Sequence, residues 1–411
     1  MNFSEYNFDP INTEFLQDPY PAYAHLRDND PVHWSDLGFW VVTRFEDCRS
    51  TLIGKQFGQG DFVKNIQLFY DEDFDVMSHH SYAWLSRVFV MQDPPAHTRV
   101  RGLVSGALSL KRIREMEPRI RELAVQLLDD YDSADGDNFI NEFAYQFPTK
   151  VMCDMLGMSD EEYPAGLLLK LNQAIAESFV VFETRALSEA ELDRADAQML
   201  FLTETFNELF ASRRANPRGD LTTAMVESQD GGESLTPEEL STSVIGLFGA
   251  GFETTAHMIG NGMYLLGKHP EQRQRLVDDP GLAAAATEEV LRFESSLQAS
   301  YRTALEEQTI GSQTISPGQR VLAIVAAANR DESEFADPGI FDISERKQKP
   351  LTFGGGIHYC VGAELARLEG KIFFEELVRR YPNFTVNVEN ARLRPAFMFR
   401  GFEYLNVYLT G

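Results

Sequence analysis

The chain has little that would mark it as secreted, membrane-spanning or nucleic-acid-binding. Cysteine is scarce: Cys48, Cys153 and Cys360 are the only three in 411 residues, far apart and odd in number. That excludes a disulfide framework and a clustered zinc site. Basic residues are also few, 37 Lys and Arg against 63 Asp and Glu, for a formal charge of −26. Nucleic acid and anionic membrane are therefore excluded as main partners. No apolar run approaches the roughly 20 residues that cross a bilayer, and the opening MNFSEYNFDP lacks the basic and apolar stretches of a signal peptide. A cytoplasmic protein is expected. Repeats, low-complexity tracts and Gly/Ser linkers are missing too, so one continuous domain over 1–411 is expected.

What is present is mostly helical spacing. Between about 97 and 293 apolar residues recur every three or four positions, as at Ile113, Met116, Ile120, Leu123 and Leu127 in a stretch reading as helix from Ile113 to Tyr131. Strand signals are confined to Phe39–Thr43, to the runs either side of Ser316-Pro317-Gly318, and to Tyr404–Leu409. The fold class is mainly α with small β-sheets. Thr236-Pro237-Glu238-Glu239 reads as a capping box with proline in the first turn, and the helical pattern after it runs to about Lys268. Such a helix is about 48 Å long.

The most informative stretch is Phe353-Gly354-Gly355-Gly356-Ile357-His358-Tyr359-Cys360-Val361-Gly362-Ala363, followed by a helical pattern ending near Tyr381-Pro382. A cysteine at a helix start meets free backbone N–H groups and the positive end of the helix dipole, which favour a thiolate. Gly354, Gly356 and Gly362 allow tight turns and close approach to a flat ligand, and Phe353 can shield the sulfur. A structural cysteine after a glycine turn is the plainer alternative.

This loop resembles the haem-binding signature of the cytochrome P450 superfamily, and further motifs of that family follow its order along nearly the whole chain. The resemblance implies a single-body fold with haem b, bound non-covalently through Cys360, between the long helix and the helix after the cysteine. Glu289 and Arg292, three apart on one helix face, resemble the family's Glu-x-x-Arg pair, although an exposed pair would have the same spacing. Arg346 lies near, but displaced from, the place of a further family arginine. His97, Arg101, Arg302 and His358 match positions that hold the haem propionates, which need cationic or hydrogen-bonding partners when buried. Ala250-Gly251-Phe252-Glu253-Thr254 resembles the oxygen-activating stretch, with Thr254 binding the oxygen or a water and Glu253 relaying protons.

The activity this implies is insertion of one oxygen atom from O2 into an apolar small molecule. Electrons come from NAD(P)H through a separate ferredoxin or flavodoxin and its reductase, since the chain leaves no room for a flavin domain. Basic residues Arg99, Lys111, Arg112, Arg114, Arg346, Lys347, Lys349 and Arg367 are the expected docking face near the haem, and a monomer is expected. Substrate-facing positions are a long aromatic segment that includes Tyr82, Trp84 and Phe89, with Leu297, Ala299, Phe397 and Met398. Gly246 and Gly249, on the helix face of Thr254, imply room for a bulky terpenoid, steroid, polyketide or acyl substrate; close packing against a neighbour uses glycine equally well. A peroxygenase or oxidative coupling enzyme of the same fold, and a haem protein that binds ligands without turnover, are the rivals.

Overall fold

The computed structural model describes residues 7–133, 137–158, 166–230, 232–344 and 348–409. The chain divides into two compact units, one made of Met1–Gly58, Pro118–Phe147 and Thr254–Gly411, the other of Gln59–Glu117 and Pro148–Glu253. Each unit is assembled from separated stretches.

The first unit carries the β-structure. Its main sheet runs Val32–Ser35, Phe39–Val42, Arg320–Ala323, Ser300–Ala304, Phe57–Gly58. Val32–Ser35 and Phe39–Val42 form an antiparallel hairpin with Val32 opposite Val42, and Phe39–Val42 lies parallel to Arg320–Ala323. Arg320–Ala323 is buried along its whole length, as expected of a central strand covered on both faces. Its Val321 and Ala323 pack with Val42, Phe45, Cys48 and Leu52. The turn at Ser316-Pro317-Gly318 forms as expected, with Gly318 at φ +85°. The strands it joins belong to different sheets, however: Gln313–Ile315 pairs with Gln308–Ile310 instead. A further antiparallel pair joins Thr385–Leu393 to Phe402–Tyr408.

The second unit is helical. Its longest helix, Glu189–Ala215, opens on a reciprocal capping box between Ser188 and Glu191. Near its end Arg213 is almost fully buried, and its Nε donates to Asp220 at 2.6 Å. That partner is what makes a buried guanidinium tolerable.

The helix Pro237–Lys268 starts in the second unit and ends in the first, with the bounds its sequence signals gave. Glu239 N donates to Thr236 Oγ1 at 3.2 Å and Thr236 N to Glu239 Oε2 at 2.9 Å, completing the capping box. The stretch expected as one helix from Ile113 is broken into Leu110–Glu115 and Glu117–Ser133. Pro118 is the reason: without an N–H it fits only the first turn of a helix, so a new one must begin there.

Candidate functional site

Cys360 is the exposed cysteine of the three, while Cys48 and Cys153 are buried. Two short 3-10 turns, Leu351–Phe353 and Gly356–His358, lead into it, and Cys360 N donates to Phe353 O at 2.9 Å. Gly354 and Gly356 sit at φ +70° and +61°, which L side chains rarely adopt. Gly356 also lies against Ile53, whose Cα would be 3.1 Å from an added Cβ. Gly362 caps the helix Ala363–Arg380, and its own Cβ would stand 4.0 Å from Cys360 Sγ. The thiol is thus held just before a helix N-terminus with small residues around it. Arg367 lies over the Phe353 ring at 4.5 Å and donates to Tyr359 Oη at 3.1 Å, bracing the loop from the helix.

The middle of the long helix has one open face. From Leu240 to Gly260 every residue is buried except Gly246, Ala250, Gly251 and Thr254. Gly246, Ala250 and Thr254 are spaced by four and share one face. Gly249 does not belong to that stripe. A Cβ there would overlap the end of the Phe179 ring and stand 3.0 Å from Ile175 Cδ1, so the space expected at Gly249 is filled by a neighbouring aromatic side chain. Gly251 packs likewise on Met152, whose Sδ would be 2.7 Å from an added Cβ. Gly246 meets only Val88 and Trp84, at 3.4 and 3.9 Å. Glu253 is buried, next to the half-exposed Thr254.

Glu289 and Arg292 form a buried bidentate pair with both contacts at 2.7 Å. Arg292 also donates to the carbonyls of Asn329, Pro338 and Ile340, and Glu289 accepts from Asp342 N. With every donor placed, the pair pins the 329–342 segment. Arg346 and Lys347 lie outside the described residues.

In the first unit Arg302 is buried on its strand, with Nη1 donating to Ser300 Oγ and Tyr301 O. Leu297 and Phe399 form a β-bridge, and Gln298 N donates to Met398 O, so the segments of Leu297, Ala299, Phe397 and Met398 meet. Phe397 and Met398 are buried, and the Phe397 ring packs on Phe8 and Phe15. In the second unit His97 is buried in the first turn of Ala96–Ala107, and Arg101 follows one turn later. Of the expected basic residues, Arg99 is paired with Glu233 and Glu239, and Arg367 with Glu288 and Glu364. His79 pairs with Asp196, and no cluster of three or more metal-ligating side chains exists among the described residues.

The family model for cytochrome P450 matches residues 51–279 and 281–398. This chain belongs to the cytochrome P450 family. It is 32% identical to a vitamin D(3) 25-hydroxylase of Pseudonocardia autotrophica, over 97% of this chain and 96% of that one. Among solved structures it resembles P450BioI in complex with acyl carrier protein ligated to hexadec-9Z-enoic acid, with TM-score 0.87, 31% identity and coverage of 97% and 99%. It also resembles CYP109E1 of Bacillus megaterium in complex with testosterone, with TM-score 0.82, 25% identity and coverage of 96% and 100%.

Members of the cytochrome P450 family are haem-thiolate monooxygenases that use O2 and need redox partners, and the residues present fit that group. One exposed cysteine stands in a glycine-rich loop, the long helix offers an open small-residue face, and Arg302 supplies a buried cation. No helix among the described residues is long and apolar enough to cross a membrane.

Two buried groups of this P450 were not singled out in the sequence. His257, on the long helix one turn past Thr254, takes a 2.9 Å contact from Arg394 to Nε2. Arginine only donates, so Nε2 accepts and the ring is neutral; burial, reinforced by the Arg394 charge, holds its pKa well below the usual histidine range. Glu369, on the helix after the cysteine, is buried, and burial pushes its carboxyl well above the usual range. Its Leu-Glu-Gly setting looks like any helix, and only the packed neighbours reveal it.

Proposed function

We propose that this P450 inserts one oxygen atom of O2 into a bulky, largely apolar small molecule, the whole chain acting as one functional domain in which Cys360 would hold the haem iron. The observation that carries this reading is the exposed Cys360 thiol, held at a helix start by glycines in left-handed conformations. Haem, when bound, supplies activation of dioxygen and transfer of one oxygen atom. Cys360 would hold the iron through its thiolate. Arg302, His97, Arg101 and His358 would hold the propionates, Phe353 with Gly354 and Gly362 would shape the thiolate side, and Ala250 would give the macrocycle a small-residue surface, whereas the expected Gly251 is packed on Met152. Thr254 positions a proton at its hydroxyl, and Glu253 exchanges it with solvent. Glu289 and Arg292 brace the surrounding segment.

A ferredoxin or flavodoxin with its reductase delivers the electrons, steered by the basic residues. Lys349 is exposed and open to such a partner. Gly246, Leu297, Ala299, Phe397 and Met398 contact substrate; Gly249 does so only through Phe179, which covers it. A bulky substrate is supported by the relatives whose names carry vitamin D(3) and testosterone.

The test is Cys360→Ala. Cys48 and Cys153 are buried and cannot replace the ligand, so the reduced carbonyl complex should lose the red-shifted Soret band of a thiolate-ligated haem, and oxygenation should fall to background. A variant that keeps that band refutes the assignment.

A further inference from the structure

The open stripe of the long helix is bordered in the second unit by a polar group with nothing to bind. Trp84, on the helix His80–Arg87, is 5% exposed, and its Nε1 has no hydrogen-bond partner among the described residues. Indole nitrogen can only donate, so no change of protonation or rotation of a hydroxyl relieves it. Burying such a donor without an acceptor is unfavourable, and buried polar groups are nearly always bonded to something. The orientation says where the acceptor must be. Trp84 Cζ2 is the ring atom that approaches Gly246, 3.9 Å from where a Cβ would stand. That atom is bonded to the carbon carrying Nε1, so the N–H edge of the indole looks toward the Gly246 end of the stripe. Phe179, 5.7 Å from the indole between ring centroids, fixes the ring from the side. A second polar atom lies on the same helix face: Ser243 Oγ, one turn before Gly246, is also buried with no partner among the described residues.

We propose that Trp84 is a specificity-determining residue: its indole N–H donates a hydrogen bond to an oxygen of the substrate, with Ser243 beside it. The preferred substrate is then an apolar molecule carrying a carbonyl or hydroxyl oxygen, rather than a hydrocarbon. Gly246 and Thr254 are eight residues apart, about 12 Å along the helix. The oxygen that binds Trp84 is therefore remote from the carbon that is oxidised, and an elongated molecule oxidised at the far end from its existing oxygen is the class that fits. This rests on the reading of Thr254 as the residue beside the reacting centre.

The test compares wild-type holoenzyme with Trp84→Phe, which keeps an aromatic ring and removes the donor. Binding of testosterone, progesterone and 2-dodecanone is titrated beside androstane, pregnane and dodecane. Trp84→Phe should weaken the oxygenated ligands about tenfold and leave the hydrocarbons unchanged, with a smaller loss for Ser243→Ala. The protein has three tryptophans, and Trp40 Nε1 already donates to Gln319. In the 15N-labelled ferrous carbonyl form, the indole signal missing from Trp84→Phe should move downfield on saturation with a ketone and stay in place with its parent hydrocarbon. Equal binding of the ketones by variant and wild type, or an indole signal indifferent to them, overturns the proposal. Failure of the haem-thiolate reading is distinguished by the carbonyl spectrum of the same Trp84→Phe protein, which depends on Cys360 and not on the indole.

Discussion

The two sides of the helix Pro237–Lys268 use glycine for opposite ends. On the closed flanks either side of the stripe Gly249, Gly251 and Gly262 let Phe179, Met152 and Phe374 come so close that a Cβ would collide with them. On the open side Gly246, Ala250 and Thr254 stay accessible, and Gly246 has only ordinary contacts at 3.4 Å and beyond. The same residue type thus serves packing on the flanks and access along the stripe, little more than a quarter of a turn apart. A small side chain in a helix is therefore no sign of a binding surface until the helix's rotation is known.

The largest test of this contrast is Gly262→Leu. Even its Cβ would overlap Phe374 and stand 3.2 Å from Val290 Cγ2, so the substitution should cost about 3 kcal/mol or more by overpacking, read as a lowered urea midpoint at unchanged slope. Stability equal to wild type would mean that the closed side can yield, and the contrast between the faces would collapse.

The helix Ala363–Arg380, which packs there, carries a buried carboxyl at Glu369. Gly370, beside Glu369, packs on Met258 of the long helix and on Thr287. The folded-state pKa of Glu369 is raised by burial, so the folded protein keeps a proton that the unfolded chain releases above about 4.5. The group therefore destabilises the fold increasingly as pH rises from there toward its folded-state value. Glu369→Gln removes that penalty. Its stability relative to wild type should grow by about 1.4 kcal/mol per pH unit while the folded carboxyl stays protonated. A difference independent of pH between 5 and 8 would show the carboxylate to be ionised and compensated.

The smallest effect is expected on the open side. Gly246→Ala places its methyl at ordinary contact distance from Val88 and Trp84, and alanine gains about 0.5–1 kcal/mol over glycine in a helix interior. A slight rise in thermal midpoint should accompany weaker binding of bulky ligands. A loss of stability similar to that of Gly262→Leu would place Gly246 on the closed side as well.

The features legible along the chain are local. The Thr236–Glu239 box and Pro237 set the start of the long helix, the glycines around Cys360 set a turn only glycine can make, and Glu289 and Arg292 share a face because they are three apart. Each of these follows from chemistry within a few residues, and the order of such motifs made the family legible. Pro118 was equally local, yet the apolar period running through it masked the break between Glu115 and Glu117. Tertiary structure alone decided the rest. It put Phe179 against Gly249, left Glu369 buried with a raised pKa, set Arg394 against His257, and aimed the Trp84 indole at Gly246. None of these pairs is close in the chain, and periodicity fixes which residues share a face but not what that face meets. Packing fixes the rotation of each helix about its axis, and with it whether a glycine leaves space or gives it to a neighbour.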